Sequence, residues 1–207
     1  MNWNLILSIT FTLKDGLLIS ISPVIFIVLI TLITIGCILR WRSTKKWGVT
    51  SIKINLFHAI TAEIKPNPEI RRVAHQVLTE LQTRKAALPF DKENDVITEI
   101  YDSWYSMFQI IRELVKSLPA EDLKKDKNTA ELANLLISVL NQGLRPHLTR
   151  WHARFRKWIE KNPDDKLSPQ KLQKKYPQYH ELIKDLEKVN VELRKFSDSL
   201  RELIYKK

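Results

Sequence analysis

The sequence predicts a mostly α fold: a single N-terminal transmembrane helix, then a short β element, then a cytoplasmic bundle of about five helices. Three observations predict it. One long stretch near the N-terminus carries no charge, a short stretch after it alternates apolar and polar residues, and beyond residue 68 apolar residues recur at steps of three and four. The expected organisation is an outer tail or interfacial segment over 1–15, the transmembrane helix over 16–39, a basic juxtamembrane flank with the β element over 40–67, and the bundle over 68–207.

The apolar stretch is GLLISISPVIFIVLITLITIGCIL, residues 16–39, with no charged side chain across 24 positions. As one helix it would measure about 36 Å, more than the roughly 30 Å hydrocarbon core of a bilayer. Pro23 would kink or begin such a span. A cleavable signal peptide fits poorly, because the run is long and the residues before it are nearly neutral. Arg40, Arg42, Lys45 and Lys46 follow, with Trp41 and Trp47 suited to the headgroup level. The positive-inside rule then expects a single-pass protein of the inner (plasma) membrane, N-terminus outside and C-terminal domain cytoplasmic. MNWNLILSITFTLKD, ahead of the run, is expected to form a short interfacial helix or the far end of a tilted span.

In the next segment Ile52, Ile54 and Leu56 fall on one side and Lys53 and Asn55 on the other, which reads as one strand, or as a hairpin returning through Ala62 and Ile64. Helices are expected near 68–87, with Pro68 in the first turn, near 94–117, and near 129–142, where Gly143 suits a C′ position. A fourth runs from about Arg145 to Lys161. The last spans about 177–204, and Leu182, Leu186, Val189, Leu193, Phe196, Leu200 and Leu203 follow a 4-3-4-3-4-3 heptad seam. That seam serves either packing within the bundle or self-association into a homo-oligomer.

Net charge is +11, and Lys14 and Asp15 cancel within residues 1–39, so the whole excess lies beyond them. Such an excess suits an anionic partner. The single cysteine, Cys37, excludes a disulfide framework and a cysteine-based zinc site within the chain. No P-loop and no H-E-x-x-H motif occurs. His58, His75 and His180 are scattered and read as surface or capping residues. No metal, cofactor or small-molecule substrate is expected.

The densest string is LRPHLTRWHARFRKW, residues 144–158. On a helical wheel Leu148, Trp151, Phe155, Trp158 and Ile159 form an apolar face. His147, Arg150, Arg154, Lys157 and Lys161 fall at steps of 3-4-3-4 and form a basic stripe, either a solvated face or a contact for anionic lipid or RNA. Arg145 and His152, seven apart, lie nearly in line two turns from one another.

An arginine and a histidine so spaced within an α-helical bundle resemble the motif of the HEPN superfamily. In its ribonucleases the two residues of two protomers meet at a two-fold interface, histidine as acid or base and arginine on phosphate charge. The resemblance makes Arg145 and His152 the candidate catalytic pair, although Pro146 departs from the polar residue the family often has there. The whole layout resembles the membrane-pore accessory proteins of RNA-targeting type VI-B CRISPR systems. That likeness implies an oligomeric membrane protein that gates or perturbs the bilayer in antiviral defence, with RNA or an RNA-guided defence complex as a partner. The reading leans against an enzyme, with Arg145–His152 degenerate or structural. A membrane-tethered HEPN-type ribonuclease and a non-catalytic scaffold binding anionic lipid or RNA are the alternatives.

Overall fold

The computed structural model describes residues 7–12, 16–21, 23–45, 50–164 and 166–206, in two compact units, Met1–Gly48 and Val49–Lys207.

The first unit corrects the expected transmembrane helix. Strands β1 (Leu7–Thr12) and β2 (Gly16–Ile21) pair antiparallel, with Leu7 opposite Ile21, Ile9 opposite Ile19 and Phe11 opposite Leu17. The uncharged run is therefore shared between a strand and helix α1 (Pro23–Lys45). Proline supplies no backbone donor, so it is favoured at the first helical position, and here it opens α1. From Pro23 to Leu39 the uncharged helix measures about 26 Å, below the hydrocarbon thickness. Among the described residues no helix is long and apolar enough to cross a membrane. The expected interfacial helix or tail over 1–15 is likewise replaced by β1 where the chain is described. The side chains of Ile27–Ile38 are exposed. Of the proposed membrane-interface residues, Arg40, Trp41, Arg42 and Lys45 continue the backbone of α1, and their side chains lie outside the described ones. Lys46 and Trp47 lie outside the described residues altogether.

The second unit opens with the hairpin β3 (Ile52–Leu56) and β4 (Ile60–Ile64). Both strands alternate buried and exposed, so Ile52, Ile54, Leu56, Ile60, Ala62 and Ile64 all enter the core. Phe57 and His58 make the turn with positive φ, 51° and 57°, and Ala59 N–H donates to the Leu56 carbonyl at 3.2 Å. Two successive left-handed residues give a primed turn, whose twist matches the strands.

Helix α2 (Pro68–Thr83) is capped by Asn67, whose side chain accepts from Ile70 N–H at 2.7 Å. Helix α3 (Ile97–Lys116) buries Ile97, Ile100, Tyr101, Trp104, Met107, Phe108 and Ile111. Its first N–H donates at 2.9 Å to the buried Gln173, which thereby stands in for a cap. After α4 (Ala120–Lys125), Asp126 caps α5 (Lys127–Ser138). The expected stop at Gly143 does not occur. Instead α5 widens into a π-helix, Val139–Leu144, and runs on into α6 (Arg145–Lys161). Pro146 has no N–H for the preceding turn, and a locally wider helix accommodates that gap. A short α7 (Pro169–Gln173) leads to α8 (Tyr179–Tyr205). The seven heptad positions of α8 are all buried, and α8 packs on α2 and β3. The seam is thus filled within the unit.

Candidate functional site

Helix α6 presents two different surfaces. Trp151 and Phe155 are buried, and Leu148, Trp158 and Ile159 pack partly buried against the core, as the apolar face predicts. Phe155 and Trp158 both meet the Tyr176 ring edge-on, at 5.2 and 5.5 Å between centroids.

His147 does not belong to the basic stripe. It is only 2% exposed, in the first turn of α6. Its Nδ1 lies 2.8 Å from Asp185 Oδ2, and its Nε2 lies 3.1 Å from the Tyr101 hydroxyl. Trp151 Nε1–H donates to the same Asp185 oxygen at 2.9 Å. A carboxylate only accepts, so Nδ1 carries the proton, and Nε2 of a neutral ring accepts from Tyr101. Burial holds the His147 pKa below its ordinary value; the Asp185 bond and charge offset this only in part, and Arg150 adds to the lowering. Burial pushes Asp185 upward, but the bonds from His147 and Trp151 and the charge of Arg150 outweigh it, so the carboxyl titrates below the usual range. Burial, with the charge of Asp185, raises the Tyr101 hydroxyl far above its ordinary value. The result is a neutral histidine linking a buried phenol to an ionised carboxylate.

Asp185 also lines a cavity of about 630 Å³ beneath the hairpin tip, together with His58, Lys184, Lys188 and Glu192. Phe57 N–H donates to Glu192 at 2.6 Å, which fixes that tip to α8. Sequence reasoning missed Asp185 and Tyr101. Asp185 sits one place before a heptad leucine, where an acidic residue reads as ordinary solvated surface.

Arg145 and His152 do not converge. Arg145 is exposed; its Nε–H donates to Asn141 at 3.1 Å, and its guanidinium lies 5.1 Å from the Phe108 ring centre. His152 is half-buried against the Tyr101 ring, 5.1 Å between centroids. Burial and the nearby Arg156 hold its pKa below the ordinary value, with Asp102 opposing them. Each residue of the pair therefore rests on an aromatic ring of α3, two turns apart along α6.

The remaining stripe residues, Arg150, Arg154, Lys157 and Lys161, are all exposed. Among the described residues none has an acidic group within 4.0 Å. Elsewhere cations pair locally, as in Arg72–Glu69, Lys116–Glu113 and Lys195–Glu192. The Arg150 guanidinium stacks 4.7 Å from the Trp151 ring centre, which holds it beside the stripe at low entropic cost. His58, His75 and His180 are exposed. Among the described residues no group of three or more His, Cys, Asp or Glu is placed to hold a metal. Compared with known protein families, curated proteins and solved structures, the chain matches none.

Proposed function

We propose that this protein is a non-catalytic module that binds an anionic lipid surface through the basic face of α6. The observation that carries the reading is the row Arg150, Arg154, Lys157 and Lys161, exposed and without acidic partners among the described residues. Polybasic segments gain about 1 kcal/mol per Lys or Arg near an anionic leaflet. Four cations in a row therefore suffice for reversible docking. Lipid is favoured over nucleic acid by helix α1, whose exposed residues Ile27, Val28, Leu29, Ile30, Leu32, Ile33, Ile35 and Ile38 suit an apolar phase. Arg40, Arg42, Lys45 and Lys46 follow them in sequence and suit the headgroups. The heptad positions of α8 are occupied within the bundle, so this function needs no self-assembly. Arg145 and His152, each resting on an α3 ring, act as packing residues in it.

Flotation of the full chain with vesicles tests the reading. Binding is expected to vesicles containing phosphatidylserine, to weaken with salt, and to fall about a hundredfold or more in Arg150→Glu/Arg154→Glu/Lys157→Glu. The triple variant should stay folded with a modestly lower thermal midpoint: the three side chains are exposed, and of them only Arg150, beside Trp151 and Asp185, gives up a contact described above. Undiminished binding by the triple variant rejects α6 as the contact. Stripe-dependent binding to single-stranded RNA without vesicle binding rejects lipid.

A further inference from the structure

Beside the hairpin cavity, on the flank of α8, lies a second cavity of about 430 Å³, lined by Lys92, Glu93, Lys174, Tyr179, His180, Ile183, Lys184 and Glu187. One of its lining residues is anomalous. Tyr179 is 7% exposed, and its hydroxyl is buried with no hydrogen-bond partner among the described residues. Buried polar groups are nearly always satisfied, so an orphan hydroxyl on a residue that lines a cavity marks a place where something else completes it once the neighbouring side chains give way. The four charges that act most on this phenol are those of Lys174, Glu93, Lys92 and Glu187, all lining the same cavity.

The charges around the hydroxyl are not balanced. Glu93 is taken by Lys174 at 2.6 Å, and Glu187 by Lys92 at 2.8 Å. Lys184 has no acidic partner within 4.0 Å among the described residues, and His180 adds a further donor at the rim. What remains is a phenol O–H and an uncommitted ammonium, both hydrogen-bond donors, beside two lysines that each have further donors to share.

We propose that this cavity binds a phosphate monoester group, with the Tyr179 hydroxyl and the Lys184 ammonium as its principal donors. A monoester carries about −1.5 to −2 charge and three acceptor oxygens. It can therefore take the hydroxyl, Lys184 and a shared lysine together, each on its own oxygen, and it sets more negative charge against the lysines than a carboxylate does. The monoester is either a soluble phosphate or a lipid headgroup, since both present the same oxygens. The site uses none of the α6 stripe residues and stands independently of the proposed lipid contact there.

Titration of the full chain with inorganic phosphate at constant ionic strength, read by NMR at the Tyr179 ring and by thermal shift, tests the site. Saturable binding at millimolar phosphate is expected, weakened about tenfold or more in Tyr179→Phe and in Lys184→Ala. Tyr179→Phe without phosphate should be at least as stable as the parent, because it removes an orphaned hydroxyl, so its loss of binding is not a loss of fold. Lys157→Ala should bind phosphate normally, which separates failure of this site from failure of the α6 stripe. Tyr179-dependent preference for vesicles with monoester headgroups over diester headgroups identifies a lipid source. Phosphate binding with no such preference identifies a soluble one. No saturable binding, or equal binding by parent, Tyr179→Phe and Lys184→Ala, overturns the proposal: the hydroxyl then holds water only.

Discussion

Asp185 illustrates how much one atom organises here. Its Oδ2 accepts from both His147 and Trp151, and His147 in turn accepts from Tyr101. Asp185→Ala would strand two buried donors at once. We expect it to lower unfolding stability by about 2–4 kcal/mol in urea denaturation, with Asp185→Asn, which keeps an acceptor oxygen, losing less. A loss below about 0.5 kcal/mol in the alanine variant would show that the network does not stabilise the fold. None of this was legible beforehand. On the wheel His147 lies only about 20° beyond Arg154, because seven residues nearly close two turns. The spacing that assigned it to the stripe is correct; it is the approach of α8 that covers it.

At the scale of elements, Gly143 has a different purpose from the one its position suggests. A glycine after a helical run commonly supplies the left-handed C′ residue. Here it lies inside the π-helix, and a Cβ on it would fall 2.5 Å from the Phe57 ring. The close approach of the hairpin tip, with its two left-handed non-glycine residues, is what requires the missing side chain. Gly143→Ala should therefore destabilise the protein by about 1–3 kcal/mol by overpacking. In a Phe57→Ala background the same change should cost much less, since the clashing ring is gone. Equal costs in both backgrounds, measured by thermal or urea unfolding, would place the strain elsewhere. Pro23 gives a parallel lesson. The sequence marks it as a start or a kink, but only the pairing of β2 with β1 withdraws residues 16–21 from the helix.

The whole molecule stores its charge chemistry in a pH-dependent form. His147 titrates below its ordinary 6.5 because it is buried. Below that pH the unfolded chain takes up a proton that the folded chain does not, so this stability is complete above 6.5 and is lost as pH falls beneath it. Asp185 and Asp126 titrate below 3.8, and Glu192 below 4.5. Their contribution is present above those values and disappears as pH falls through the lower, folded ones. Urea midpoints should be level from pH 6.5 up to the ordinary tyrosine value of 10.0, above which the raised Tyr101 costs stability, should decline below 6.5, and should decline more steeply below 4.5. His147→Gln should flatten the first decline, with His152 leaving a smaller residue of it, because it too is held low. A profile level down to 4.5 would mean that His147 is protonated in the folded state.

The sequence by itself determined the helical character of residues 68–206, the alternation of the hairpin, the apolar face of α6 and the inward row on α8. Each follows from a repeat of two or of about 3.6 residues, and a repeat depends only on neighbours along the chain. Tertiary structure alone decided that the α8 row is filled by its own bundle, that His147 is covered while Arg150 and Arg154 stay exposed, and that the uncharged N-terminal run divides between strand and helix. It also decided that Arg145 and His152 rest on separate rings of α3. Those outcomes depend on which distant segment supplies the partner, and periodicity carries no information about partners.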